Sequence, residues 1–321
     1  MPITLRILLG VYSQNSNPHN PSAAFDSGLQ IDAVMPTGHP LRRAQHLARV
    51  YETDPDNWAQ TIEERLNTLD YAVFINCDAK GGHRLYSHKW PDKLLRFLPL
   101  DPTSQAAKTC TRAEQKAWCR ANSIPWSKKD TSQIAGSAIF LVQSKTIQAW
   151  FATKNGITLQ TGAAVTCQEA TDKKILELGS QIVSKCQVEG IVGFEYTSLA
   201  TGEIAVTRLY ITGIPPIMQL GKHFGINMGE ALGNVARRKK DTSTQDFLKP
   251  QTDQELVLVP EIIEYLGTFG WKATKAIISK CKIVEINGDR LLFTRQIGKA
   301  VIAAAKMWLA QVIQKCINKF R

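Results

Sequence analysis

Residues 188–213, VEGIVGFEYTSLATGEIAVTRLYITG, decide how this chain folds. Two runs rich in β-branched and aromatic residues, Gly190–Tyr196 and Glu203–Tyr210, flank a turn at Ala200-Thr201-Gly202 and predict a β-hairpin. Glu195 sits in the first strand and Arg208 in the second; strand alternation sends Arg208 and Thr207 to opposite faces. Just upstream, Ile175, Leu178, Ile182 and Cys186 recur at helical spacing and predict a long amphipathic helix over Glu169–Cys186. Before it lie two strands, Ala138–Val142 and Gln148–Thr153, joined by a polar turn at 143–146. Downstream, Met218–Val235 reads as one or two short helices broken at Gly225.

Farther out, Thr111–Asn122 reads as a helix, with Thr111 and Glu114 at capping-box spacing and a stop at Ser123-Ile124-Pro125. The first third alternates strands and helices. Leu5–Val11, Leu29–Met35, Tyr71–Ile75 and Leu98–Leu100 predict strands, the first two as continuous apolar runs covered on both faces. Asp56 caps a helix carrying Trp58, Ile62, Leu66 and Leu69, and Gly81-Gly82 reads as a loop. This order predicts a parallel sheet with helices on both faces. The fold class is α/β (α+β): an α/β unit over 1–109, a sheet-and-helix domain over 110–236, a charged linker over 237–252 and a mainly helical segment over 253–321. That last segment contains helices at Val259–Leu266 and Lys272–Ser279. A hairpin follows, Lys282–Ile286 with Arg290–Thr294 turning on Asn287-Gly288, and then a helix over 296–320.

With 321 residues and 44% hydrophobic composition, the chain can bury a sizeable core, and disordered or collagen-like classes are excluded. The net charge of +11 suggests acidic partners, but its distribution is uneven. Lys299, Lys306, Lys315, Lys319 and Arg321 supply five of those charges within the last 25 residues, where there is no acid. The seven cysteines are odd in number and lack C-x-x-C spacing, which argues against a disulfide framework or zinc ribbon and for reduced thiols in a cytoplasmic protein. The apolar start runs directly into Ser13-Gln14-Asn15 without a basic region, so it reads as a strand rather than a signal peptide. No run of 18 apolar residues predicts a membrane span.

Several catalytic signatures fail. Gly213…Gly221-Lys222 has the wrong spacing for a phosphate-binding loop, and His223 stands where Ser or Thr is needed. G-x-S-x-G, H-E-x-x-H and G-x-G-x-x-G after the first strand are absent. His83 and His88 have no metal-ligating neighbours in sequence and read as surface histidines.

The order of elements does resemble a known group. Asp54-Pro55-Asp56-Asn57-Trp58 through Leu69–Ile75, the helix ending at Ile124-Pro125, and above all residues 188–213 followed by Phe224-Gly225-Ile226-Asn227-Met228 resemble the ATP-grasp superfamily of carboxylate–amine and carboxylate–thiol ligases, over roughly residues 1–235. The resemblance makes 1–109 similar to the pre-ATP-grasp unit and 110–236 a truncated ATP-grasp-like domain. It implies ATP and Mg²⁺ as cofactors, with carboxylates as hard oxygen ligands for the metal. By the same resemblance Glu195 is the first metal carboxylate and Arg112 a phosphate-directed cation; Arg208, nearby on the returning strand, is a further candidate cofactor-binding residue. The E-x-N-x-R positions of the returning strand fall on Thr207, a poor metal ligand, and on Leu209 and Ile211, which cannot bind metal or phosphate. Between Pro125 and Gln148 the family carries a lid of several tens of residues, whereas this chain has only 126–136 and one strand. Lys128 and Lys129 are the lysines available there to replace the lid's own, though a solvated pair is the plainer reading.

Three functions follow. The leading one is a degenerate ATP-grasp-like pseudoenzyme with a binding, scaffold or regulatory role, acting on a protein partner or a second copy of itself. The second is an active ligase with a remodelled site. The third is a peripheral protein whose helix over 296–321, with Trp308, Leu309, Val312 and Phe320 on one arc and lysines on the other, binds an anionic membrane surface or a partner groove. Nucleic acid is disfavoured, because the basic residues lack interleaved exposed aromatics.

Overall fold

The computed structural model describes residues 5–14, 20–127, 134–159, 164–215, 217–237, 255–259, 262–263, 265–266, 271–279, 281–285, 301–302 and 305. All of the linker but Arg237, the second strand of the C-terminal hairpin and nearly all of the terminal helix lie outside them.

The first unit is a four-stranded parallel sheet of β1 (Arg6–Gly10), β2 (Gln30–Pro36), β3 (Leu47–Thr53) and β4 (Tyr71–Asn76), in the order β3-β2-β1-β4. Both faces are covered, as the apolar runs require. On one face Leu8, Val34 and Phe74 meet Trp58, Ile62 and Leu66 of α1 (Trp58–Thr68). On the other, Ile7, Leu9, Ile31, Ala33, Met35 and Ile75 turn toward the second unit.

That unit is a seven-stranded sheet in the order β11-β10-β7-β6-β5-β8-β9. Its strands are β5 (Gly136–Gln143), β6 (Thr146–Asn155), β7 (Thr166–Glu169), β8 (Gly190–Ser198), β9 (Ile204–Tyr210), β10 (Leu256–Val259) and β11 (Lys282–Glu285). The β5–β6 turn places Ser144 and Lys145 at φ 50° and 62°, and the Glu189 carboxylate accepts both of their N–H groups at 2.8 and 3.1 Å. One face of the sheet, with Phe140, Trp150, Phe194 and Leu209, packs under α3 (Arg112–Ala121) and α4 (Lys173–Cys186). Its opposite face, with Ile139, Leu141, Phe151 and Ile191, joins the same core as Ile7 and Leu9 of the first sheet. The 3₁₀ turns at Asn20–Ser27 and Met218–Phe224 and helix α5 (Met228–Ala236) complete that shared core.

The sequence expectations hold for the hairpin, the β5–β6 pair, the capping box of α3 and the break at Gly225, where φ is 82°. Others are corrected. Gly81 and Gly82 belong to helix α2 (Ala79–Ser87), which Asp78 caps through the Gly81 N–H. A Cβ at Gly82 would lie 2.7 Å from that of Thr212, so glycine here permits close approach to the end of β9 rather than a turn. Leu98–Leu100 are bends, not a strand, although Leu98 and Leu100 are buried. The helix expected from Glu169 starts at Lys173 behind the Asp172 cap, and Thr166–Glu169 form β7. β3 and β10 were not expected. β10 carries β11 as a parallel neighbour, and helix α6 (Trp271–Ile278) lies between them in the chain.

Candidate functional site

β8 brings Glu195 to the strand next to the edge of the second sheet, on the face turned toward the first unit. Its cross-strand neighbours are Ser137 on β5 and Arg208 on β9, and the row continues through Thr153 on β6 to Glu169 on β7. Five polar residues thus share one line across a sheet whose adjacent row is Phe151, Ile139, Gly193 and Tyr210. The segment after β9 covers that apolar row. A Cβ at Gly193 would be 2.4 Å from Pro215 Cγ, and one at Gly221 would be 2.8 Å from the Phe151 ring. Beside this cover, Glu195 retains 8% exposure.

A carboxylate so buried needs partners. Tyr210 Oη donates to Glu195 Oε1 at 2.5 Å. Arg208 Nη1 lies 3.9 Å from the same oxygen, an ion pair rather than a hydrogen bond, with the guanidinium carbon 5.7 Å from the centroid of the Tyr210 ring. Burial first, then the Glu195 charge, push the Tyr210 phenol far above its ordinary value, so it stays a donor. Tyr210, and after it Glu195, raise the Arg208 guanidinium further against the lowering effect of burial. Glu195 Oε2 is buried without a hydrogen-bond partner among the described residues, as is Thr207 Oγ1.

The register of β9 corrects the positions assigned by resemblance. Glu195 pairs with Arg208, but Tyr196 pairs with Val206, so Thr207 is the extra residue of a β-bulge. Leu209 faces Phe194 in the apolar core under α3 and α4, and Ile211 belongs to that core as well. The residues sharing the face of Glu195 are Arg208 and Tyr210, not Thr207 and Leu209. Tyr210 was missed, and its signal was available: the second residue after Arg208 repeats its face.

β9 is the edge strand on this side, and side chains close it. Gln115 of α3 donates to Leu209 O and accepts from Leu209 N, both at 3.0 Å, replacing a neighbouring strand. Farther along, Val206 N–H donates to Pro125 O and Ser127 N–H to Val206 O, each at 2.8 Å. Arg112 is the first residue of α3 and is exposed. Lys128 and Lys129 lie outside the described residues. His83 lies on α2, while His88 ends that helix and is 2.6 Å from Glu63 on α1. This carboxylate partner was invisible at their spacing in sequence.

The surroundings of Glu195 do not suit the divalent cation that the resemblance implies. The nearest carboxylate along the row, Glu169, is three strand spacings from Glu195, roughly 14 Å at ~4.8 Å each. Among the described residues no group of three or more His, Cys, Asp or Glu could hold a metal ion. The position opposite Glu195 presents a guanidinium rather than an oxygen.

A parallel unit packed through one core against a mainly antiparallel sheet is an ATP-grasp-like fold. Solved structures share it. The ATPase subunit of phosphoribosylaminoimidazole carboxylase from Aquifex aeolicus is similar at a TM-score of 0.54 and 12% identity, over 75% of this chain and 78% of that one. N5-carboxyaminoimidazole synthetase from Staphylococcus aureus, complexed with ADP, matches at 0.52 and 10%, over 78% and 81%. L-amino acid ligase from Bacillus licheniformis matches at 0.51 and 10%, over 77% of each chain. No family model matches the sequence, and no curated protein does either.

Proposed function

We propose that this chain is a non-catalytic ATP-grasp-like protein, which uses the scaffold for a binding, scaffold or regulatory role toward a protein partner or a second copy of itself. One observation carries the reading: the place of the lid. Residues 125–127 are hydrogen-bonded to Val206 of β9, and β5 begins at Gly136 on the other side of β8. Only six residues, 128–133, run between Ser127 and Ile134, too few for the several tens that the resemblance implies as a cover over nucleotide phosphates. Phosphoryl chemistry depends on such preorganised charge and exclusion of water. None of the six described cysteines is in a disulfide, which supports a cytoplasmic setting.

The test is phosphate release from ATP across a panel of carboxylate and amine acceptors, together with calorimetry of Mg-ATP binding. The expected result is no release above the protein-free blank. Turnover with any acceptor, or tight Mg-dependent ATP binding that Glu195→Ala abolishes, overturns the reading.

The orphan oxygen of Glu195 favours a second reading, an active ligase with a remodelled site, which predicts turnover in that panel. Val301 and Ile302, 50% and 59% exposed in helical backbone, favour a terminal helix that binds an anionic membrane surface or a partner groove. Liposome co-sedimentation with and without residues 296–321 decides this, and equal pelleting rejects it.

A further inference from the structure

We infer that Arg208 is the resident cation of Glu195: it occupies the place beside this carboxylate where a divalent ion would be held, so the apo protein binds no divalent cation there. The inference deepens the non-catalytic reading of the same site, yet it concerns metal alone and requires no nucleotide.

Three observations converge. The pairing of Glu195 with Arg208 is set by strand register, so the two side chains are neighbours wherever their rotamers settle. Tyr210, two residues on and on the same face, holds both partners: its hydroxyl donates to Glu195 Oε1 and its ring lies beneath the guanidinium. Glu195 Oε1 is therefore engaged by a phenol at 2.5 Å and a guanidinium at 3.9 Å. At Oε1 a Mg²⁺ or Mn²⁺ ion, which demands near-octahedral oxygen coordination at about 2.0–2.2 Å, would have to displace both. At Oε2, which has no hydrogen-bond partner among the described residues, it would find no second carboxylate at the neighbouring positions of the row and would still face the guanidinium charge. The bulge at Thr207 makes this arrangement possible. It turns Arg208 and Tyr210 to the Glu195 face while Val206 and Leu209 stay in the core. Neighbours in the row supply no rival carboxylate, since Ser137 and Thr153 are neutral.

Mn²⁺ titration followed by electron paramagnetic resonance, on the full chain without nucleotide, tests the assignment. Wild type and Glu195→Gln should give superimposable isotherms, because Glu195 contributes nothing to Mn²⁺ binding while Arg208 is present. Arg208→Glu removes the cation and adds a second carboxylate, and should tighten Mn²⁺ by about tenfold or more. The double variant Arg208→Glu/Glu195→Gln should lose that gain, whereas Arg208→Lys, which keeps the charge, should bind as wild type does. Wild-type Mn²⁺ binding that Glu195→Gln weakens overturns the inference, and so does a folded Arg208→Glu protein with wild-type affinity. If Arg208→Glu does not fold, as judged by circular dichroism and melting, the comparison of wild type with Glu195→Gln decides alone. These outcomes are separate from ATP turnover: a ligase whose metal arrives on nucleotide phosphates would turn over and still leave the apo isotherms superimposed.

Discussion

Tyr210→Phe removes one oxygen and leaves the ring, so it isolates what the hydroxyl does for Glu195. The hydroxyl donates to a carboxylate oxygen at 2.5 Å within a residue that is 8% exposed, and the other carboxylate oxygen has no donor among the described residues. Hydrogen bonds to charged groups contribute roughly 1.5–3 kcal/mol, and loss of this one leaves the carboxylate with Arg208 alone. Arg208 compensates poorly. Opposite charges near 4 Å attract by about 4 kcal/mol at an effective dielectric constant of 20, but exposed pairs typically deliver no more than about 1 kcal/mol. The Arg208 side chain is 57% exposed, so the lower figure applies. The variant should therefore lose about 2 kcal/mol, and Arg208→Ala about 1 kcal/mol. Urea unfolding at pH 7, read as a change in midpoint at constant slope, measures both. The sign with pH follows from the raised Tyr210 phenol: its contribution is complete below the unfolded tyrosine value near 10 and is lost as pH rises through the higher folded value. A Tyr210→Phe protein within about 0.5 kcal/mol of wild type would refute the claim that the phenol satisfies a buried charge.

Three further outcomes are expected. Gly82→Ala gains about 1 kcal/mol of helix propensity, but its methyl group would sit 2.7 Å from Thr212 Cβ and 3.3 Å from Cys110 Sγ. Overpacking should prevail by about 1–2 kcal/mol and lower the melting temperature. Thr111→Ala removes the cap of α3 and should cost about 1 kcal/mol in urea unfolding. The backbone N–H of Thr111 is the main cause that lowers Glu114, so the box contributes fully above the unfolded glutamate value of 4.5 and fades as pH falls through the lower folded value. Burial pushes the Cys119 thiol up to about 12 and that of Cys110 up to about 11. At pH 8, mass-mapped thiol labelling should leave Cys119 unmodified in the native protein and label it in denaturant.

What the sequence made legible follows from where periodicity is strong. The hairpin over 190–210, the runs of β1 and β2 and the capping box of α3 are local signals, and each appears where expected. β7 and β10 are four residues long and are secured by pairing with partners distant in sequence, which leaves no local trace. β3 carries Arg49 and Glu52 on an edge with exposed residues, so its alternation is weak. Helix α2 was hidden by two glycines whose purpose is tertiary: Gly81 and Gly82 lie against Trp58 and Thr212. At the site, Glu195 was found because a carboxylate in an apolar strand is conspicuous. Its partners were misplaced because a bulge moves every later residue by one, and a one-residue slip exchanges the faces of a strand.

The bulge also changes what the presence of Glu195 signifies. A buried carboxylate must bring a positive charge with it or pay a large desolvation cost. In a metal-dependent groove that charge is recruited, so a retained acid speaks for retained chemistry. Here the chain provides the charge from the facing strand, and Tyr210 satisfies the same oxygen. Removing Glu195 would leave Arg208 and the Tyr210 hydroxyl without their partner, and removing Arg208 would leave the carboxylate with a single neutral donor. Tyr210 and Arg208 thus account for Glu195 Oε1 without any appeal to catalysis, while Oε2 has no hydrogen-bond partner among the described residues, and position 208 becomes the informative one. On the inference drawn above, an oxygen ligand there would add a second carboxylate to Glu195, whereas a guanidinium opposes a cation. The pair is neutral and leaves the overall charge of +11 unchanged, five of whose excess positive charges lie within the last 25 residues.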